Sequence, residues 1–143
     1  MKFNRLIPEL TVCDIEKTKR FYIDLLGFQL EYERVEEKFA FISLEESQFM
    51  FEEMHEDGLN IAEMTHPFGR GVNFSIEVND IEMLYNKLIS ARYPLYRSIM
   101  VNEYEAKGEL LEQKEFLVQD PDGYLLRFTH DKNLNGRDEG YGL

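Results

Sequence analysis

The stretch Glu115–Phe128, EFLVQDPDGYLLRF, decides how the rest of the chain is read. Two apolar runs, Phe116–Val118 and Tyr124–Phe128, flank Asp120-Pro121-Asp122-Gly123. Pro121 fixes a negative φ at the second turn position and Gly123 tolerates the positive φ that closes such a turn. The stretch therefore predicts a β-hairpin, and an earlier copy of it lies upstream. Phe41…Phe49-Met-Phe51-Glu52 aligns with Phe116…Tyr124-Leu-Leu126-Arg127.

The repeat extends beyond the hairpin. Leu10-Thr-Val12-Cys-Asp14-Ile15-Glu16 aligns with Ile76-Glu-Val78-Asn-Asp80-Ile81-Glu82. Each copy reads as a strand running into a helix. Asp14 suits an N-cap, the second helix is expected from Asp80 to about Arg92, and Gly27 stands where a helix C-terminus calls for a left-handed residue. Ile15, Thr18, Phe21, Tyr22, Leu25 and Leu26 then follow at helical spacing, as do Ile81, Leu84, Tyr85, Leu88 and Ile89. Strand-like runs complete both copies. Two ordered matches make an internal repeat the architectural signal. The expectation is an α+β fold of two βαβββ modules related by a pseudo-twofold axis, with curved mixed sheets forming a cleft. Module one covers about 5–54, a Gly- and Pro-punctuated linker 55–71, module two about 72–130, and a fraying tail 131–143, all within one domain.

Composition bounds the function. At 143 residues, 43% apolar and 31% charged, the chain can bury a core without staples. A single cysteine, Cys13, permits no internal disulfide, and no apolar run approaches a membrane span, so a cytoplasmic location is expected. The net charge of −12 repels phosphate backbones and attracts cations, which argues against nucleic acid.

Strand parity sorts the side chains into two faces. Leu10, Val12, Phe49, Phe51, Ile76, Val78, Leu126 and Phe128 pack under the helices. Ile7, Glu9, Thr11, Met50, Glu52, Asn73, Ser75, Glu77 and Arg127 take the other face. Closing the hairpins as aligned sets Phe41 beside Glu52 and Phe116 beside Arg127, with Phe39 one step along. A face with aromatics and a few polar groups is how small-molecule sites are lined. His55, His66 and His130 share no close spacing and read as surface residues, and Cys13 reads as structural.

The segments LIPELTVCDIEKTKRFYIDLLGF and EFLVQDPDGYLLRF resemble the vicinal oxygen chelate superfamily, and within it the bleomycin-resistance type. The resemblance implies paired βαβββ modules, usually in homodimers with the site at or near the interface. It covers glyoxalases, extradiol dioxygenases, fosfomycin-modifying enzymes and antibiotic-sequestering binders. Metal-dependent members carry ligands at positions that fall on Ile7, Glu52, Asn73 and Arg127. Isoleucine offers no lone pair and arginine stays cationic, so this set predicts neither a metal nor another cofactor. Glu52 and Arg127 are instead expected to pair with each other.

The resulting expectation is a metal-independent binder with no catalytic residue. It sequesters a cationic or aromatic ligand against Ile7, Glu9, Phe39, Phe41, Glu52, Asn73, Phe116 and Arg127. Pro8 matches the first-strand proline of bleomycin-resistance proteins. The lack of tryptophan, and Leu111–Lys114 in place of a Pro-Trp-Gly segment, depart from them. The alternative is a glyoxalase-like lyase or isomerase, or an antibiotic-modifying transferase, using Glu52 or Glu77 as base.

Overall fold

The computed structural model describes residues 1–135. The order is β1 (Glu9–Val12), α1 (Ile15–Lys19), a π-helical stretch Arg20–Leu25, β2 (Gln29–Arg34), β3 (Phe39–Leu44), β4 (Ser47–Glu53), β5 (Asn73–Glu77), α2 (Ile81–Ser90), β6 (Arg97–Ala106), β7 (Glu109–Gln119) and β8 (Leu125–Asn133). The strands form two four-stranded sheets, β1-β4-β3-β2 and β5-β8-β7-β6. In each, the first strand runs parallel to the last and the other neighbours are antiparallel. The α+β architecture of two repeated βαβββ modules is thus present.

By contacts the chain forms two compact units. The first is Met1–Phe68 with Asp120–Gly123, and the second is Gly69–Gln119 with 124–135 of the described residues. The DPDG turn therefore belongs to the first unit although the strands on either side of it belong to the second. Its chemistry explains why. Asp122 N–H bonds to Asp120 Oδ1 at 2.9 Å and Gly123 N–H to Asp120 O at 2.9 Å, closing the turn. The other carboxylate oxygen, Asp120 Oδ2, accepts from Tyr22 Oη–H at 2.8 Å, and Asp122 Oδ1 accepts from Cys13 N–H at 3.0 Å. Gly123 has φ +96°, and a Cβ there would lie 2.5 Å from Pro67 Cβ, so only glycine fits.

In the first unit Asp14 caps α1 by accepting from Glu16 and Lys17 N–H. The expected single α-helix to Leu26 instead passes into a π-helical turn, with Leu26 N–H bonded to Phe21 O at 3.0 Å. Gly27 then ends it at φ 86°. The helical layer places Tyr22 against Phe51 (4.7 Å between centroids) and Phe28 (5.3 Å). With Leu10, Val12, Ala40 and Ile42 these rings make the buried core.

In the second unit Ile81, Leu84 and Leu88 of α2 are buried together with Ile76, Val118, Leu126 and Phe128. β8 runs on to Asn133, pairing Asp131–Asn133 with Leu111–Gln113. The start of the expected fraying tail is therefore strand, and residues 136–143 lie outside the described part. Cys13 also differs from expectation, being exposed. Partial burial, then the hydrogen bond the thiol donates to the Asp122 carboxylate, push its pKa up, which leaves it a poor nucleophile.

Candidate functional site

On the first unit's sheet the face away from the helices is built by register. Glu9 pairs with Met50 and Thr11 with Glu52 across β1 and β4. Phe39 pairs with Glu52 and Phe41 with Met50 across β3 and β4. Phe41 thus lies on the expected face but opposite Met50, and it is Phe39 that faces Glu52. A bulge in β2 between Leu30 and Tyr32 advances the pairing by one residue, so that Tyr32 meets Phe41 and Arg34 meets Phe39. Without it Tyr32 and Arg34 would point to the helix side. The result is an aromatic floor, with Tyr32 5.7 Å from Phe39 and 5.6 Å from Phe41. The Arg34 guanidinium lies over the Phe39 ring at 3.9 Å.

Polar groups border this floor. Glu52 Oε1 lies 2.8 Å from His55 Nε2, an imidazole–carboxylate contact that the sequence spacing did not suggest. Glu52, His55, Met54, Glu36, Glu37, Lys38 and Glu53 line a cavity of about 470 Å³. Its one lysine is engaged: Lys38 Nζ is 2.9 Å from Glu53 Oε2, and that hydrogen bond raises the ammonium pKa. The lining therefore keeps an excess of negative charge. A second cavity of about 450 Å³ runs past Phe39, Glu33 and Glu53 towards Asp14 and Lys19. Ile7 is half-buried and Glu9 exposed, both at the β1 end of the sheet.

The second unit's face has a different character. Leu117, not Phe116, is the partner of Arg127, and Phe116 pairs with Phe128. Phe116 is fully buried on the helix side, edge-on to Tyr85 of α2 at 5.2 Å, so it belongs to the core and lines no site. The correction has a simple cause. Tyr124 packs into the loop against Gly69 instead of opening β8, which lengthens the turn by one residue and reverses parity.

Asn73 and Arg127 do lie on this face, with Ser75 beside Arg127. Arg127 Nη1 is 3.5 Å from Glu115 Oε2, and Glu115 is only 7% exposed. At that separation the charges attract without a hydrogen bond: Glu115 Oε2, Arg127 Nε and Asp131 Oδ1 are buried with no hydrogen-bond partner. Within its own unit, Glu52 is partnered by His55 and Arg127 lies by Glu115. Glu115, Asp131, Tyr32, Arg34 and His55 are the site-face residues that sequence reasoning missed.

The family's metal is a test of donor chemistry. Ile7 and Arg127 cannot ligate, and among the described residues no group of three or more His, Cys, Asp or Glu is placed to hold an ion. A catalytic metal wants about three protein ligands, and this set does not fit one. Nor, among the described residues, is any helix long and apolar enough to cross a membrane.

Known proteins agree with the architecture. Residues 2–128 match the family model described as the Glyoxalase/Bleomycin resistance protein/Dioxygenase superfamily. A superfamily member from Vibrio splendidus is 38% identical, with 85% of this chain and 93% of that one covered and a TM-score of 0.39. A virulence protein from Salmonella typhimurium shares 19% identity at TM-score 0.62, covering 90% and 98%. A glyoxalase/bleomycin resistance protein/dioxygenase from Alicyclobacillus acidocaldarius shares 19% at TM-score 0.61, covering 88% and 89%. No curated protein matches. With its paired βαβββ sheets and a family match over most of its length, the chain belongs to the glyoxalase/bleomycin resistance protein/dioxygenase superfamily.

Proposed function

We propose that the protein is a metal-independent binder of the bleomycin-resistance type, taking a planar, cationic organic molecule on the first unit's sheet face. The carrying observation is the acid-lined cavity of about 470 Å³ at Glu52 and His55, since Glu52 is the cross-strand partner of Phe39. A carboxylate beside an aromatic floor offers a cation both a counter-charge and ring faces. Arg34 over Phe39 shows the chain's own guanidinium using that floor. Ile7 and Glu9, at the β1 end of the same sheet, stay in the proposal as ligand contacts. The same reading includes a homodimer, which analytical ultracentrifugation checks.

The test is titration with proflavine, a planar cation, followed by fluorescence. Saturable one-to-one binding is expected, weakened about tenfold in Glu52→Gln and weakened again by salt. Equal affinity for the anionic dye 1-anilinonaphthalene-8-sulfonate would remove the cation preference, and absence of binding would remove the reading. The Glu52–His55 contact favours one further reading, acid–base catalysis of the glyoxalase-like, isomerase or transferase kind. It requires turnover of a candidate substrate that His55→Gln abolishes.

A further inference from the structure

The aromatic floor is already partly in use. The Phe3 ring lies parallel on Phe41, 5.1 Å between centroids and 15° between planes, and meets Tyr32 edge-on at 6.5 Å. Both geometries are the preferred ones for aromatic pairs. Phe41 is fully buried, whereas Phe3 remains 50% exposed. A ring half in water, at the sheet's margin, is a cover that can be removed without opening the helix-side core.

The strap is fastened at its other side by amide chemistry. Asn4 N–H donates to Gln48 Oε1 at 2.7 Å, Gln48 Nε2–H donates to Lys2 O at 2.7 Å, and Asn4 Nδ2–H donates to Glu46 O at 2.6 Å. Gln48 thus holds Lys2 and Asn4 from both directions, with Phe3 between them. These are bonds at the sheet's margin that water can replace. Immediately beyond, Leu6 is 83% exposed.

We propose that Phe3 is a displaceable plug. It fills from within the chain the subsite where the flat ring of a bound molecule stacks, and the ligand enters as Met1–Asn4 turns out. The inference rests on the binding reading above and adds the position of the ring. The chain's own groups trace both parts of the ligand: Phe3 marks the ring, on Phe41 and Tyr32. Arg34 marks the cation, on Phe39, whose cross-strand partner is Glu52. An aromatic ligand must compete with Phe3 for Phe41, so the free protein binds more weakly than its uncovered floor would.

Four proteins test this: wild type, Phe3→Ala, Gln48→Ala and, as control, Leu6→Ala, each titrated with proflavine. Phe3→Ala removes the plug and Gln48→Ala unfastens it. Each is expected to tighten binding by about two- to tenfold, the strength of one aromatic pair. Leu6→Ala is expected to leave affinity unchanged. In wild type, saturating dye is expected to speed tryptic cleavage after Arg5, because the strap is released. If wild type binds the dye but Phe3→Ala binds it equally or more weakly, or cleavage after Arg5 does not accelerate, the plug is overturned while the binding reading stands. If none of the four proteins binds the dye, both fall.

Discussion

The two sheet faces descend from one repeated pattern and have come to opposite chemistries. The sequence repeat aligns Glu52 with Arg127, but strand register matches Glu52 to Thr129 and Arg127 to Met50. Glu52 lines a cavity beside a solvent-reachable histidine, whereas Arg127 lies against a buried glutamate. On the first unit the floor is aromatic and its nearby charges are paired or face the cavity. On the second, three buried polar atoms have no hydrogen-bond partner. A repeated backbone therefore fixes where side chains stand without fixing what they do. The first face is covered in part by the chain's own Phe3 ring. The second holds polar groups at a cost to stability.

The comparison breaks first at Phe41. If the first face is a true packing surface, Phe41→Ala removes a fully buried ring from beneath Phe3 and beside Tyr32. Urea denaturation should show a loss of about 3–5 kcal/mol. A loss below about 1 kcal/mol would mean that the floor is not packed and that Phe3 covers little.

The fold was legible because hydrophobic parity, an Asp-Ile-Glu helix start and a hairpin pattern repeat in the right order. The site was legible only where hairpin register forgave error. In the first unit the turn is two residues shorter in register than the aligned closure assumed. Leu44 pairs with Ser47 and Phe41 with Met50, so Phe41 kept its face and changed only its neighbour. In the second unit the error was one residue, with Gln119 pairing with Leu125, and Phe116 changed face altogether. The signal that could have found Glu115 was the same parity, counted from a turn that includes Tyr124. Tyr32 and Arg34 were hidden by a bulge, which leaves no hydrophobic period to read. Phe3 was hidden because a strap crossing a sheet has no periodicity at all.

The next test sharpens the second face. Replacing a buried ion pair with apolar residues of similar size is often neutral or stabilising by about 1–4 kcal/mol. The pair Glu115–Arg127 is partly buried, with the Glu115 side chain 10% and the Arg127 side chain 37% exposed, and its charges lie close without a hydrogen bond. Glu115→Leu with Arg127→Leu should hold or raise the urea midpoint, while Glu115→Leu alone lowers it by leaving Arg127 unmatched. If the double variant is destabilised by more than about 1 kcal/mol, the second face is a stabilising network and the contrast between the units disappears.

The smallest effect concerns pH. Tyr104 pairs with Leu111 at the β6–β7 edge, and its pKa is raised by burial first, then by the negative charges of Asp131 and Glu77. Those carboxylates oppose a second anion, so the native chain holds the phenol proton longer than the unfolded chain does. Stability from this source is complete below the ordinary tyrosine pKa of about 10 and is lost as pH rises through the raised native value. Between pH 9 and 11, wild type should therefore lose more thermal stability than Tyr104→Phe. Tyr104 is 37% exposed, so solvent screens its neighbours and the difference should stay within about 2 °C. Asp131→Asn should shrink it further, because it removes the stronger of the two charge effects while leaving the phenol in place. Equal pH profiles for wild type and Tyr104→Phe would show that the second face's carboxylates do not act on one another's surroundings. Its unmatched atoms would then be isolated defects and not one acidic field.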